Sequence, residues 1–291
     1  MADVVEVLAQ QGGSASFADL RAVVSARSIR NALQAGQIRR VAKGVYALPE
    51  APAALTAARS QRGVVSHLSA TQHWGMKMIT PPTLPHVTVP RGQVRLTTGQ
   101  KCVLHWSAAP SLDDVTIPTR TVLDCIRSLP LAEALAIADS ALHQKIVDAD
   151  DLFAAAAALR GAGRQRIREV VALADGRAES VLESALRAIL IEAGIEGFEP
   201  QYAVRDGDFS ARLDLGHPGL RIALEAEGFE FHGTRQALVK DCRRHVNLSI
   251  RGWTLLRFSW EDVMYDKEWV AGVVGRVTGL PPLTKPLQLV A

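Results

Sequence analysis

The chain has 291 residues, with 33 Lys and Arg against 30 Asp and Glu, so its formal net charge is only +3. A hydrophobic content of 48% is typical of folded globular domains, and the length allows two or three of them. The three cysteines are far apart, which argues against a disulfide scaffold or a cysteine zinc site. The sequence has no apolar run long enough for a transmembrane helix, and its first residues lack the basic and apolar regions of a signal peptide. We therefore predict a cytoplasmic protein that neither spans nor binds a membrane.

The first fifty residues predict three short helices. Apolar residues recur at helical spacing from Asp3 to Gln10. Ser16, followed three residues later by Asp19, has the sequence of a capping box that opens a second helix. A third helix is predicted to begin at Ser25 and to end before Gly36. Two short helices joined by a tight turn indicate a helix-turn-helix.

A basic surface is predicted on the third helix and on the segment that follows it. Residues 38–48 alternate in polarity and break at Gly44, which is typical of a two-stranded wing. From Arg21 to Lys43 there are six Lys or Arg residues and no Asp or Glu, a charge distribution expected of a surface that contacts phosphates. An ordinary solvated face is the alternative. The candidate DNA-binding residues are Arg27, Ser28, Arg30, Asn31, Gln34, Arg39, Arg40 and Lys43.

This segment resembles a known family of regulators. The sequence Gly36-x-Ile38-Arg39-Arg40-Val41-x-x-Gly44-Val45-Tyr46 is similar to the N-terminal winged-helix domain of AbiEi-type antitoxins. Residues 64–90 resemble the companion region of the same family. Because such proteins repress their own toxin operon, the resemblance implies operator DNA and a cognate toxin as partners.

Residues 51–175 predict an α+β middle domain that serves as a scaffold or spacer. Short strands punctuated by Gly and Pro are predicted at 84–90, 94–96, 102–106 and 115–117. Alanine-rich helices follow through about Ala174. We therefore expect three domains, at residues 1–50, 51–175 and 176–291.

Three acidic residues carry the strongest chemical signal of the chain. Asp214 lies on one predicted strand, and Glu225 and Glu227 project from one side of the next strand because they are two residues apart. Converging carboxylates repel one another, and a hard cation with oxygen ligands relieves the repulsion. We therefore predict a site for Mg²⁺ or Mn²⁺.

The surrounding elements are predicted in the order helix, strand, strand, strand, helix, strand. The motifs along them are Glu-Ser-x-x-Glu-Ser-x-x-Arg at 179–187, Pro200-Gln201-Tyr202, Arg212-Leu213-Asp214, Glu225-x-Glu227-Gly228, His232, Asp241-x-x-Arg244, Gly252-Trp253 and Leu256-Arg257-Phe258. Taken together, these motifs resemble the very-short-patch-repair-like branch of the PD-(D/E)XK nuclease superfamily.

The resemblance implies a restriction-endonuclease-like α/β domain and Mg²⁺-dependent hydrolysis of phosphodiester bonds. It makes Asp214 the bridging ligand and Glu225 its partner, with further groups around them. The candidate catalytic residues are Asp214, Glu225, Glu227, His232, Glu183 and Gln201, of which Asp214, Glu225, Glu227 and Glu183 are the metal ligands. In this assignment Gln201 orients a water or a ligand, and His232 is a general base or a leaving-group acid.

The sequence departs from the superfamily pattern at Glu227. The pattern has a lysine at this position, two residues after the first acid of the pair. The role that the lysine has in the superfamily then falls to His232, Lys240 or Arg244, or no residue performs it.

Purely structural alternatives exist for several of these residues. Glu225 and Glu227 can decorate an exposed edge strand, His232 can be a surface histidine, and Glu179, Glu183 and Arg187 can form an i,i+4 ion-pair ladder. The leading hypothesis is an α/β (α+β multidomain) DNA-binding protein with a Mg²⁺-dependent endonuclease-like domain. The rival is a non-catalytic AbiEi-like antitoxin and repressor that keeps the nuclease fold as a binding module.

Overall fold

The computed structural model describes residues 3–228 and 235–279. In these ranges the chain combines thirteen helices with three β-sheets, which confirms the α/β, multidomain fold class. It packs as two compact units, one of Met1–Gly75 with Pro81–Asp124 and one of Met76–Thr80 with Cys125–Ala291. The three-domain boundaries inferred from the sequence stay a prediction. None of the helices in the described ranges is long and apolar enough to cross a lipid bilayer.

The first unit opens with the predicted helix-turn-helix and wing. Its elements are α1 (Val4–Gln10), β1 (Ser14–Ser16), α2 (Phe17–Val23), α3 (Ala26–Gln34), β2 (Arg39–Ala42) and β3 (Val45–Ala47). The predicted capping box is present: Asp19 N–H donates to Ser16 Oγ at 3.1 Å, and Ser16 N–H donates to the Asp19 carboxylate. Leu8 and Leu20 are fully buried where the helices meet the strands, so this segment has its own core.

The wing has one more strand than the sequence predicts. β1 pairs antiparallel with β3, and the strand order is β1-β3-β2. β1 is only three residues long and contributes one apolar side chain, Ala15, which is 1% exposed. So short a segment has no alternation that could identify it as a strand.

The rest of the first unit is a five-stranded sheet with short helices. Its elements are α4 (Ala53–Ser60), β4 (Val64–Val65), α5 (His67–His73), β5 (His86–Val89), β6 (Val103–Trp106), β7 (Ser111–Leu112) and β8 (Val115–Thr116), in the strand order β6-β5-β4-β8-β7. α6 (Pro118–Ser128) follows. The strand predicted at 94–96 is wrong, because the buried Gln61 side chain bonds both the N–H and the C=O of Leu96 in place of a neighbouring strand.

The second unit begins with helices and ends with a sheet. Its elements are α7 (Leu131–His143), α8 (Ala149–Ala158), α9 (Arg164–Leu173), α10 (Val181–Ala193), β9 (Glu199–Asp206), β10 (Phe209–His217), β11 (Ile222–Glu227), α11 (Arg235–Ile250), β12 (Thr254–Ser259), α12 (Trp260–Tyr265) and α13 (Lys267–Thr278). From α10 to β12 the elements follow the predicted order.

The four-stranded sheet of the second unit has helices on both faces. The strand order is β12-β11-β10-β9, antiparallel except for the parallel pair β11 and β12. On one face, Leu186 of α10 belongs to a core with Leu224 and Phe258. On the other face, Leu248 of α11 packs in a second cluster with Leu213. This three-layer packing fixes the positions of the acidic residues described below.

Three histidines lie together in the first unit. The ring of His67 stacks on that of His105 with 3.5 Å between centroids, and His86 Nδ1 is 3.1 Å from His105 Nε2. Burial, together with the charge of His86, lowers the pKa of His105 to about 4. Burial also lowers the pKa of His86. The described fold therefore favours the neutral form of His86 and His105.

Acid should destabilise the first unit through this group. The folded-state pKa of His105 lies below its unfolded value of 6.5, so the unfolded chain binds more protons between pH 6.5 and about 4. The contribution of His105 to the free energy of unfolding is therefore fully present above pH 6.5. It falls by about 1–2 kcal/mol as the pH drops towards 4, after allowance for solvent screening. Urea denaturation at pH 7 and pH 5 measures the loss. The His105→Gln variant should lose less on acidification, and an identical loss would contradict this account.

Candidate nucleic-acid interface and acidic site

The outer face of α3 presents a polar stripe. Four exposed side chains recur at i, i+3, i+4 and i+7, and they are Arg27, Arg30, Asn31 and Gln34. The opposite face of the helix buries Ile29 and Ala32 in the core. Because that face is buried, the polar stripe is exposed to solvent and accessible to a ligand.

The remaining predicted contact residues differ in their surroundings. Arg39, Arg40 and Lys43 of the wing are exposed, and Arg40 Nε donates to Ala42 O at 3.3 Å. Ser28 is half-buried. Its N–H donates to Ser25 Oγ at 3.0 Å, and the two hydroxyl oxygens are 2.8 Å apart. Ser28 therefore helps to cap α3, and the other seven predicted residues form the exposed surface.

In the second unit, Asp214 lies where the sheet is irregular. The ladder of β9 and β10 pairs Leu213 with Tyr202 and Leu215 with Pro200, and Asp214 and Gln201 lie between these pairs. Gln201 has φ of +52°, a left-handed backbone conformation that is unfavourable for a non-glycine residue. Such local strain is common at functional sites.

The Asp214 carboxylate is mostly buried and accepts one backbone hydrogen bond, from Ala226 N–H at 3.0 Å. Burial is the main cause that raises its pKa to about 6; the Ala226 hydrogen bond opposes the shift, and the charges of Glu183 and Glu225 add to it. The Asp214 carboxylate is therefore subject to the negative charge of Glu183 on α10 and of Glu225 on β11.

Glu225 is buried and is compensated by arginine. It lies on β11, an interior strand of the sheet, and it is 6% exposed. The Arg244 guanidinium of α11 forms an ion pair with it, and Arg257 Nε of β12 lies 3.9 Å away. The alternative in which Glu225 decorates an exposed edge strand is therefore wrong.

Glu227 belongs to a second, more exposed network. Arg257 Nε donates to Glu227 Oε1 at 2.7 Å, and Arg257 Nη1 donates to Asp241 Oδ2 at 2.7 Å. The sequence reading gave Arg257 and Asp241 no role, although both lie in the motifs that carry the superfamily resemblance. The parallel register of β11 and β12, which sets Glu225 beside Arg257, is seen only in the structure.

Glu183 approaches the same site from α10. It is 7% exposed and accepts hydrogen bonds from Gln201 Nε2 at 2.7 Å and from Glu179 N–H at 3.0 Å. Glu179 instead pairs with Arg212, and Arg187 pairs with Asp139, both at 2.7–2.8 Å. The alternative of an i,i+4 ladder along the helix is therefore wrong, and Glu183 faces the sheet together with Gln201.

Two predicted groups are not part of this cluster as described. His232 lies outside the described residues. Lys240 is exposed on α11, whereas Arg244, one helical turn later, reaches Glu225. Among residues 3–228 and 235–279, no three His, Cys, Asp or Glu side chains surround a common metal position. The acidic residues are instead linked through Gln201, Arg244 and Arg257.

Comparisons with known proteins identify both the N-terminal domain and the family. Residues 3–49 match the family model described as "Transcriptional regulator, AbiEi antitoxin", which confirms an AbiEi antitoxin-like domain at the N-terminus. Over 198 residues the chain is 31% identical to uncharacterized protein Rv2248 of Mycobacterium tuberculosis strain H37Rv and to uncharacterized protein MT2308 of strain CDC 1551 / Oshkosh. The alignment covers 66% of this chain and 72% of each relative. The chain belongs to the Rv2248 family.

A solved structure also resembles this Rv2248-family chain. The crystal structure of RV2827C protein from Mycobacterium tuberculosis has 16% sequence identity to it and a TM-score of 0.37, and the match covers 58% of this chain and 75% of that one. The names of these relatives describe no activity.

For this Rv2248-family member, Asp214→Asn should raise thermal stability at neutral pH. The substitution keeps an oxygen that accepts the Ala226 N–H and removes a charge that burial, Glu183 and Glu225 disfavour. We expect a gain of about 1–2 kcal/mol in the free energy of unfolding, once partial exposure is allowed for. Thermal and urea denaturation measure it. Asp208→Asn, in the exposed turn between β9 and β10, should change nothing, and a destabilised Asp214→Asn variant would disprove the electrostatic account.

Proposed function

We propose that this protein binds DNA through its winged helix and hydrolyses phosphodiester bonds with a divalent cation at the acidic cluster of its second unit. The observation that carries the proposal is the partly buried Asp214 carboxylate of β10, on which the charges of Glu183 from α10 and Glu225 from β11 both act. Burying acidic groups close to one another is unfavourable unless they are compensated, so such an arrangement indicates a function.

DNA binding is supported by the residue types on α3 and the wing. Arg side chains bind phosphates and guanine edges, and Asn and Gln pair with adenine edges, so Arg30, Asn31 and Gln34 suit the reading of a major groove. Arg39, Arg40 and Lys43 suit the adjoining backbone. The match to an AbiEi antitoxin model over residues 3–49 supports the same role in transcriptional regulation.

The donor set at the acidic cluster fits a hard cation. Every candidate ligand is a carboxylate. The pKa of Asp214 is raised first by burial and then by the charges of Glu183 and Glu225, which a cation would offset. Mg²⁺ is commonly held by one or two carboxylates with waters and substrate phosphates, so Asp214 and Glu225 suffice as protein ligands. Glu183 and Glu227 would then lie around them.

A bound divalent cation supplies an activated water and a sink for the charge that develops on the phosphate. The side chains of the protein would do the rest. Gln201 would hold Glu183 in place through its 2.7 Å hydrogen bond. Arg244 and Arg257 would supply positive charge beside the scissile phosphate, the role that the superfamily gives to the lysine replaced here by Glu227.

A second candidate is a non-catalytic antitoxin and repressor with a cognate toxin as partner. The specific observation in its favour is that Arg244 and Arg257 already neutralise Glu225 and Glu227. A sheet with compensated acids can serve as a protein-binding or DNA-backbone module without turnover. Metal-dependent cleavage separates the two candidates.

Replacing Arg30 and Arg40 with Ala should weaken DNA binding through the winged helix. Each lost phosphate contact lowers the slope of log K against log salt by about 0.9, so we expect a decrease of up to about 1.8 and an affinity loss of about tenfold or more at low salt. Fluorescence anisotropy over a salt series measures both quantities. The Arg91→Ala, Lys101→Ala variant removes two exposed cations elsewhere in the first unit and should bind normally. Equal losses in both variants would refute a winged-helix interface.

Cleavage should require the cation and Asp214. We expect nicking of supercoiled DNA in Mg²⁺ or Mn²⁺, none in EDTA, and a loss of at least about a hundredfold in Asp214→Asn, because the assigned metal ligand is removed. A parallel measurement without turnover is the rise in melting temperature with added Mn²⁺, which should vanish in Asp214→Asn and persist in Asp208→Asn. DNA affinity without cleavage on supercoiled, linear and mismatched DNA would favour the repressor.

A further inference from the structure

One flank of α11 is rich in unpaired positive charge. Residues 235–250 contain four Lys or Arg and one Asp, a difference of +3 that equals the net charge of the whole chain. Asp241 and Arg244 are engaged with Arg257 and Glu225, on the side of the helix that faces the sheet. The local excess of charge is therefore carried by the other three cations, Arg235, Lys240 and Arg243.

The geometry of the helix collects two of these cations on one stripe. Gln236, Lys240 and Arg243 stand at i, i+4 and i+7, so they follow one line along α11, and all three are exposed. With Arg235 they line a shallow groove. Within the described part of the chain, neither Lys240 nor Arg243 has an ion-pair partner, in contrast to the arginines that face the sheet.

The stripe lies on the helix whose sheet-facing side supplies Arg244 to Glu225. Lys240 precedes Asp241, which bonds Arg257, and Arg243 precedes Arg244, which bonds Glu225. A polyanion that followed the stripe would thus pass along the helix that closes one side of the site. Cations beside an acidic site also offset the repulsion between its carboxylates and an incoming phosphate.

We infer that Gln236, Lys240 and Arg243 form a contact surface for the phosphate backbone of duplex DNA, which positions the strand beside the acidic cluster. The inference rests on the proposed function, and it adds a second, sequence-independent DNA contact to that of the winged helix. Lysine and arginine suit this role because phosphate contacts position DNA without reading its bases. Exposed glutamine adds a neutral hydrogen-bond donor to the same line.

The test uses the full chain in the Arg30→Ala, Arg40→Ala, Asp214→Asn background, which weakens the contribution of the winged helix and removes turnover. Binding of a short fluorescein-labelled duplex of arbitrary sequence is followed by anisotropy over a salt series. Adding Lys240→Gln and Arg243→Gln should reduce the residual affinity about tenfold and lower the salt slope by about 1.8. Adding Lys240→Arg and Arg243→Lys, which keep both charges, should leave the affinity within about twofold of the background.

A matched control removes two exposed cations from other elements of the second unit, through Lys145→Gln and Arg276→Gln. An unchanged slope in the Lys240→Gln, Arg243→Gln variant, or an equal loss in the control, overturns the inference. Failure of the proposed hydrolysis is distinguishable, because binding is measured with the Asp214→Asn substitution. In a chain with the native Asp214, Lys240→Gln and Arg243→Gln should raise KM for cleavage more than they lower kcat.

Discussion

Negative charge held inside a β-sheet is the constraint around which the second unit is organised. Asp214 and Glu225 lie on neighbouring strands whose flanking residues are core side chains such as Leu213 and Leu224. Buried carboxylates need hydrogen bonds or counter-charges, and α11 and β12 deliver these as Arg244 and Arg257. The helix and the edge strand therefore complete the electrostatics of the sheet as well as its packing.

The two units use positive charge in different ways. In the winged helix, the arginines of α3 stay in solvent because the opposite face of the helix, with Ile29, fills the core. In the second unit, Arg244 and Arg257 are partly buried and paired with acids. An exposed cation is available to a polyanion, whereas a paired one first has to leave its partner. The same residue type is thus exposed to solvent on α3 and serves as a counter-charge to buried acids at the sheet of the second unit.

Local sequence signals predicted the elements whose determinants are close in the chain. Ser16 with Asp19 located α2, and the spacing of Glu225 and Glu227 placed both on one strand. Pairings between distant segments were missed: β1 pairs with β3 across the whole helix-turn-helix, and Arg257 meets Glu227 only through the register of a parallel strand pair. The ion-pair ladder from Glu179 to Arg187 failed for the same reason, since Arg212 and Asp139 are nearer partners in space. Tertiary contacts thus override the i,i+4 preferences of the α10 surface, both with the buried Asp139 and with the exposed Arg212.

The parallel pairing of β11 and β12 has a consequence for the way this sheet assembles. β9, β10 and β11 are antiparallel neighbours joined by short turns, so they can pair early, but β12 joins β11 only after residues 228–253. Until the chain brings α11 and β12 back to the sheet, Glu225 lacks the counter-charges that they supply. Closure of non-local contacts is the slow step of folding, and the acidic strands favour it because docking the arginines removes their mutual repulsion. The buried charges of the sheet thus also favour its final strand order.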